Sequence, residues 1–296
     1  MTVETKFEEI GARAKVRSIP RARPVRRWNP NWRSALPEEP VFNPPRLDVR
    51  RDRKGEYFDL AVPEGVEVEV IASDKPGRHL VLLARLGRKE LVTGGSAADR
   101  SFFARNTDKA RYLCGHDERH WFVAGIPESA PVGTVRQAKE ALKPAEVLSA
   151  QAGKRLGVKA RNRRKNAAFV RQGEWFFLPV PGFAVDEKLV LPNEPLRRGG
   201  GKPHWAEFCY RTGGETVYVC SRHPNGVTEA QYKGILAGSP KAKGWGWRTM
   251  RRNPGVYIKG RVRHADHATV TLHGWHQVVM NTEGRSKAMR NVAFLD

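Results

Sequence analysis

Residues 66–71 read Val-Glu-Val-Glu-Val-Ile, an alternation of apolar and charged side chains with period two. That period belongs to a strand with one buried face, so this part of the chain has to pair laterally with neighbours. Suitable neighbours lie on both sides. Glu56 to Val62, His79 to Arg85 and Glu90 to Thr93 are short runs punctuated by Pro-Glu-Gly, Lys-Pro-Gly and Leu-Gly-Arg turns. The pattern predicts a meander or small barrel. Trp121 to Ile126 adds a strand after the polar run Gly115 to His120.

The clearest helical spacing comes next. Val135, Ala138, Ala141 and Leu142 share one face, with Thr134 as N-cap, and Pro144 opens a second helix through Val147, Leu148 and Ala152. This helix runs into a block with eight cations and no carboxylate between Gly153 and Gly173. Strand patterns then resume at Trp175 to Val180, Phe208 to Arg211, Thr216 to Cys220, Val256 to Arg263, Ala268 to Leu272 and Gln277 to Asn281. Gly213-Gly214 reads as a two-residue hairpin turn. HWFVAGIP at residues 120–127 faintly echoes EWFFLPVP at residues 174–181.

Residues 1–55 follow another rule. Seven of the 20 prolines lie between Pro20 and Pro45, and eleven arginines between Arg13 and Arg53, and the segment RARPVRRWNPNWR at 21–33 has no hydrophobic period. Such a composition buries too little to offset chain entropy. The segment either orders along a phosphate backbone or packs on its own protein through Trp28 and Trp32. The expected fold is therefore α+β and predominantly β. It comprises a disordered basic tail over 1–55, a β-rich subdomain over 56–157 ending in helix, and a β-rich basic subdomain over 158–296. A helical, basic connector around residues 132–157 joins the two.

A net charge of +22, from 53 basic and 31 acidic residues, favours polyanionic partners. Nucleic acid comes first and an anionic membrane surface second. No apolar run approaches the roughly 18 residues of a membrane-spanning helix. Met1 is followed by an acidic, polar stretch without a secretory core, and the three cysteines form no CxxC pair. A cytoplasmic, reducing setting is expected.

The partner reading is sharpest between Ala230 and Ala265, which holds nine cations, no Asp or Glu, and Tyr232, Trp245, Trp247 and Tyr257. Cations offset phosphate charge, and flat rings stack on bases. Lys241, Lys243, Trp245, Trp247, Arg248, Arg251, Arg252, Arg261 and Arg263 are the candidates there. Arg161, Arg163, Arg164 and Lys165 in the connector block are further candidates. So are Arg197, Arg198 and Lys202 around a glycine triplet, although Pro203 after Lys202 breaks the nucleotide P-loop pattern. No recognition-helix motif is evident, so RNA or single-stranded DNA is favoured.

Chemistry has one main candidate. In RHADHATVTLHGWH, a two-residue turn at Ala265-Asp266 sets His264 against His267 with Asp266 at the tip. These three are the expected ligands of a divalent metal ion, and the expected catalytic residues if the protein is a metal-dependent nuclease or phosphodiesterase. Asn281 and Glu283 lie downstream. Recruiting His273 and His276 requires the chain to turn back at Gly274. A third reading is a structural component of a ribonucleoprotein or phage-like particle. Cys114-Gly115-His116-Asp117-Glu118-Arg119-His120 reads as a strand-connecting loop, with a metal site at Cys114, His116 and His120, or acid–base chemistry at Glu118, as the sharper alternatives. His204 and Glu207 form a possible catalytic pair. No GxSxG elbow or cysteine-nucleophile spacing is present.

Overall fold

Pairing follows the alternation. In the computed structural model, which describes residues 2–21, 42–87, 109–198, 201–286 and 292–293, the chain is mostly β with few helices. The expected strand at Glu90 to Thr93, and Trp28 and Trp32, lie outside the described residues. The first half contains α1 (Val3–Glu9), β1 (Ala14–Ile19), β2 (Arg46–Asp52), β3 (Gly55–Pro63), β4 (Val66–Asp74), β5 (His79–Leu86), β6 (Lys109–Asp117) and β7 (His120–Ile126). Two helices follow, α2 (Val135–Ala141) and α3 (Ala145–Gly153), then the single turn α4 (Val158–Arg161).

β4-β5-β6-β7 is an antiparallel meander, and the Lys-Pro-Gly turn joins β4 to β5 as expected. β3, expected beside β4 across the Pro-Glu-Gly turn, pairs instead with β1 and β2 in another sheet, and β6 takes in Cys114–Asp117, expected as part of a connecting loop. One face of the meander packs on a second sheet. Leu80, Leu82 and Ala84 of β5 and Ala110, Tyr112 and Cys114 of β6 meet Phe58, Leu60 and Leu47. Its other face is covered by α2, through Val81, Leu113, Ala124, Val135 and Ala138. Burial on both sides explains why β5 reads as a continuous apolar run, whereas β4 alternates.

The tail expectation fails for the described residues of 1–55. Phe7, Ile10 and Ala12 are buried in that same core, and β1 pairs in parallel with β3. The sparse apolar residues Phe7, Ile10 and Leu47 suffice because each lands on an open core position. Arg13 and Arg17 face outward onto Asp52 and Asp59.

The second half contains β8 (Val170–Gln172), β9 (Trp175–Pro179), β10 (Leu191–Leu196), β11 (His204–Thr212), β12 (Glu215–Cys220), β13 (His223–Thr228), α5 (Glu229–Gly238), β14 (Arg248–Arg252), β15 (Gly255–Arg263) and β16 (Val270–Met280). β17 (Val292–Ala293) closes the first sheet, in the order β1-β3-β2-β17. The large sheet runs β10-β11-β15-β16-β9-β8, and a small one runs β13-β12-β14.

Two local expectations change. Gly213-Gly214 makes no hairpin, because β11 pairs with β15 while β12 pairs with β13 and β14. The glycines carry the chain from one sheet to another. α3, expected to close the segment 56–157, packs instead on the second half, where Val147 joins Phe169, Phe176 and Leu178. Thr134 caps α2 as expected, its hydroxyl accepting from Gln137 N.

One strand start carries a pH signature. The His79 ring rests on Gly115, where a Cβ would stand 2.3 Å from His79 Cδ2. Burial pulls its pKa from 6.5 to about 4, with the Lys139 ammonium acting in the same direction and Asp74 and Asp117 opposing. The unfolded chain therefore binds this proton first on acidification. Stability from this group is full above about pH 6.5 and is lost as pH falls towards 4. In His79→Gln, the stability difference between pH 7 and pH 4, measured by urea unfolding, should shrink by about 2–3 kcal/mol. An unchanged acid limb would refute this.

Candidate functional sites: a histidine cleft and a basic aromatic lobe

β11 and β15 are neighbours. The register pairing Trp205 with Arg263 and Ala206 with Val262 continues to set His204 opposite His264. The β15–β16 connection spans residues 264–269, longer than the expected two-residue turn, and brings His267 back onto the other two rings. Ring centroids lie 4.1 Å apart for His204–His264, 4.8 Å for His264–His267 and 5.6 Å for His204–His267. One ligating atom from each falls within 4.8 Å of the others.

Asp266, expected in this set, leaves it. Both its carboxylate oxygens accept from Lys202 Nζ, at 3.1 and 3.3 Å. The cluster is thus His204, His264 and His267 in place of His264, Asp266 and His267. His273 and His276 stay out, because β16 runs unbroken through Gly274. His204 and Glu207 also part, since Glu207 accepts from Arg261 N at 2.8 Å beside a bulge.

His204 is 2% exposed, and neither ring nitrogen has a hydrogen-bond partner. Burial, with His264 and His267 adding to it, lowers its pKa to about 3, so the ring is neutral near pH 7. Burial also lowers His267.

The far wall is the β6–β7 turn, where Glu118 takes a φ of +54°. Asp117 and Glu118 both accept from Arg164, and Asp117 also from Arg171 at 3.0 Å. Glu118 Oε2 accepts from Ala268 N at 2.7 Å and lies 3.6 Å from His267 Nδ1. Cys114, His116 and His120 do not converge. The Cys114 thiol is buried in the core, and His120 Nδ1 sits 2.6 Å from Glu56 Oε1. The rings and this turn border a cavity of about 850 Å³.

Ion pairing divides the expected phosphate contacts. Arg161 pairs with Glu140, Arg164 with Asp117 and Glu118, Arg198 with Glu283, and Lys202 with Asp266. Arg252 pairs with Glu215 and Arg261 with Glu207, while Arg263 donates to Asn193. Among the described residues, Arg163, Lys165, Arg197, Lys241, Lys243 and Arg248 are exposed without an ion pair, and Arg251 reaches only Gly214 O.

Four of those, Lys241, Lys243, Arg248 and Arg251, belong to one lobe. Residues 213–254 leave the large sheet between the paired residues Thr212 and Gly255, and form β12, β13, α5, a 3₁₀ turn at Pro240–Gly244 and β14. The lobe buries little beyond Val217, Cys220 and Ala242. Half-buried rings do the packing. Tyr218 stacks on Tyr232 at 4.1 Å, Tyr232 meets Trp247 edge-on, and Trp247 lies near-parallel to His223 and Trp245. Trp247 Nε1 donates to Ala242 O at 2.8 Å, which ties this ring to the lobe. Trp245 is the end ring, with Arg222 Cζ 4.4 Å from its centroid.

No protein-family model, curated protein or solved structure matches this chain. No helix among the described residues is long and apolar enough to cross a membrane.

An aromatic surface on the large sheet was missed. Phe208, Tyr210, Tyr257 and Trp275 share the face opposite Cys209 and Ile258, with Lys259 Nζ 5.0 Å from the Trp275 ring. The signal was present as alternation, since Phe208 and Tyr210 flank Cys209 while Tyr257 and Lys259 flank Ile258.

Proposed function

We propose that the protein binds RNA or single-stranded DNA, with the lobe of residues 213–254 as its main contact. The observation that carries this reading is the set of exposed, unpaired cations Lys241, Lys243 and Arg248 beside a ring stack that ends in Trp245. Unpaired cations meet phosphates without first giving up a carboxylate, and a base can stack at the end ring by displacing the exposed Arg222 guanidinium that lies over it. The net charge of +22 supports the same partner. Tyr210 and Tyr257 are two residues from the lobe's root, but Phe183 stacks on Tyr257 and packs on Tyr210, which leaves Phe208 as the exposed ring of that sheet face.

The two tryptophans separate binding from folding. Trp245→Ala should weaken binding of a single-stranded oligonucleotide by roughly 1–3 kcal/mol with the fold intact. Trp247→Ala should unfold the lobe, read as new proteolytic cleavage within residues 213–254. Equal, unaltered affinity in Trp245→Ala would remove the stacking reading. Cleavage of the oligonucleotide with added divalent metal would move the protein to the nuclease class. Large assemblies of fixed stoichiometry in sedimentation would move it to a particle component.

A further inference from the structure

We propose that His204, His264 and His267 bind one divalent transition-metal ion of the zinc class, with Glu118 positioning His267. The site is independent of the nucleic-acid reading.

Three observations point to a ligand. First, buried polar groups are nearly always hydrogen-bonded, yet both nitrogens of His204 are buried and unpaired. An ion that takes the single lone pair of this neutral ring, at Nε2 beside Gly173, accounts for one of the two nitrogens and leaves Nδ1–H as the remaining unpaired donor. Second, a cradle exists. Gly173 lies under the cluster, and a Cβ there would stand 3.0 Å from His267 Nε2 and 3.3 Å from His204 Nε2. Two ring nitrogens thus border the same small space, which a side chain at residue 173 would fill. Third, an outer carboxylate is in place. Metal-bound imidazoles usually donate their other N–H to a carboxylate or carbonyl. Glu118 Oε2 stands 3.6 Å from His267 Nδ1, so a few tenths of an ångström make that bond and leave Nε2 for the metal.

The loop is fixed before any ion arrives. Ala268 N donates to Glu118, and Ala268 O accepts from Gln172 Nε2 at 2.7 Å. Tetrahedral ligands at about 2.0–2.1 Å from zinc place their nitrogens roughly 3.3 Å apart. The observed spread of up to 4.8 Å requires a closure of roughly 1–1.5 Å. His264 has a partner at each nitrogen, Asp266 N at 3.1 Å and Lys202 O at 3.3 Å, and would give up one of them. Neutral imidazoles suit a borderline metal such as Zn²⁺ or Co²⁺ better than Mg²⁺ or Ca²⁺. Three protein ligands leave a fourth position, which opens on the cavity walled by Lys202 and Arg198. Such an open position is characteristic of reactive rather than purely structural zinc sites.

Co²⁺ titration of the intact, metal-stripped protein tests this, followed by visible d–d absorption and by thermal unfolding. One equivalent per chain, with a visible band and a raised melting temperature, is the expected result. His264→Ala, in a loop, keeps the fold and should abolish the band, and His204→Ala should do the same. Glu118→Gln should weaken Co²⁺ binding roughly tenfold to a hundredfold with stoichiometry unchanged. Asp266→Asn should leave the band intact. Absence of saturable Co²⁺ or Zn²⁺ binding by the unaltered protein would overturn the proposal. So would a band that survives His264→Ala.

Discussion

A variant with Lys241, Lys243, Arg248 and Arg251 all replaced by Ala is expected to bind a single-stranded oligonucleotide roughly 10²- to 10³-fold more weakly near 0.1 M salt. The slope of log affinity against log salt should flatten by roughly three units, at about 0.7 per lost phosphate contact on a single strand. The comparison that gives this meaning is the double variant Arg252→Ala, Arg261→Ala. Both residues lie in the same carboxylate-free stretch, but each holds a neighbouring strand's glutamate, Glu215 or Glu207. Its slope should change by much less. Fluorescence anisotropy at four or five salt concentrations measures both. Equal slopes in all three proteins would show that the lobe does not meet phosphate.

Phe7→Ala should cost about 3–5 kcal/mol of unfolding free energy, a large part of a domain's usual margin. Phe7 is fully buried, and its ring lies 4.6 Å from that of Phe58, which in turn meets Trp121 at 5.5 Å. α1 is only seven residues long, so packing rather than propensity holds it. If residues 3–19 were a loose tail, the substitution would leave the urea midpoint unmoved. A loss below about 1 kcal/mol would return this segment to that description.

Those two expectations mark where sequence reasoning reached and where it stopped. Alternation over Val66–Ile71, the Thr134 cap and the apolar run Leu80–Ala84 within β5 are local signals, and each element formed where its spacing put it. Val3, Phe7 and Ile10 do stand at helical spacing behind Thr2, but the period is one short helix long, and the Arg- and Pro-rich residues after it set the reading of the whole segment; Phe58 and Leu47 opposite give those side chains a core. The histidine cluster shows the same limit. His264 and His267 were legible as neighbours in sequence. His204 becomes their partner only through the β11–β15 register, and Glu118 only through a turn some 150 residues from Ala268. Asp266 looked like a ligand because Lys202, which neutralises it, lies 64 residues away in sequence. Charge was easy to count, but which cations are free depends on where the carboxylates fold.

β17 has a consequence in time rather than in space. It lies parallel to β2, Val292 beside Leu47 and Ala293 beside Asp48. During synthesis at roughly 5–20 residues per second, β2 emerges some ten to fifty seconds before its outer neighbour exists. Throughout that interval its unpaired amides and carbonyls offer a template to any other nascent strand. Rapid expression should therefore yield more aggregated chain than slow expression at low temperature, at equal total synthesis. The hazard belongs to the unfinished polypeptide and vanishes once residues 292–293 dock.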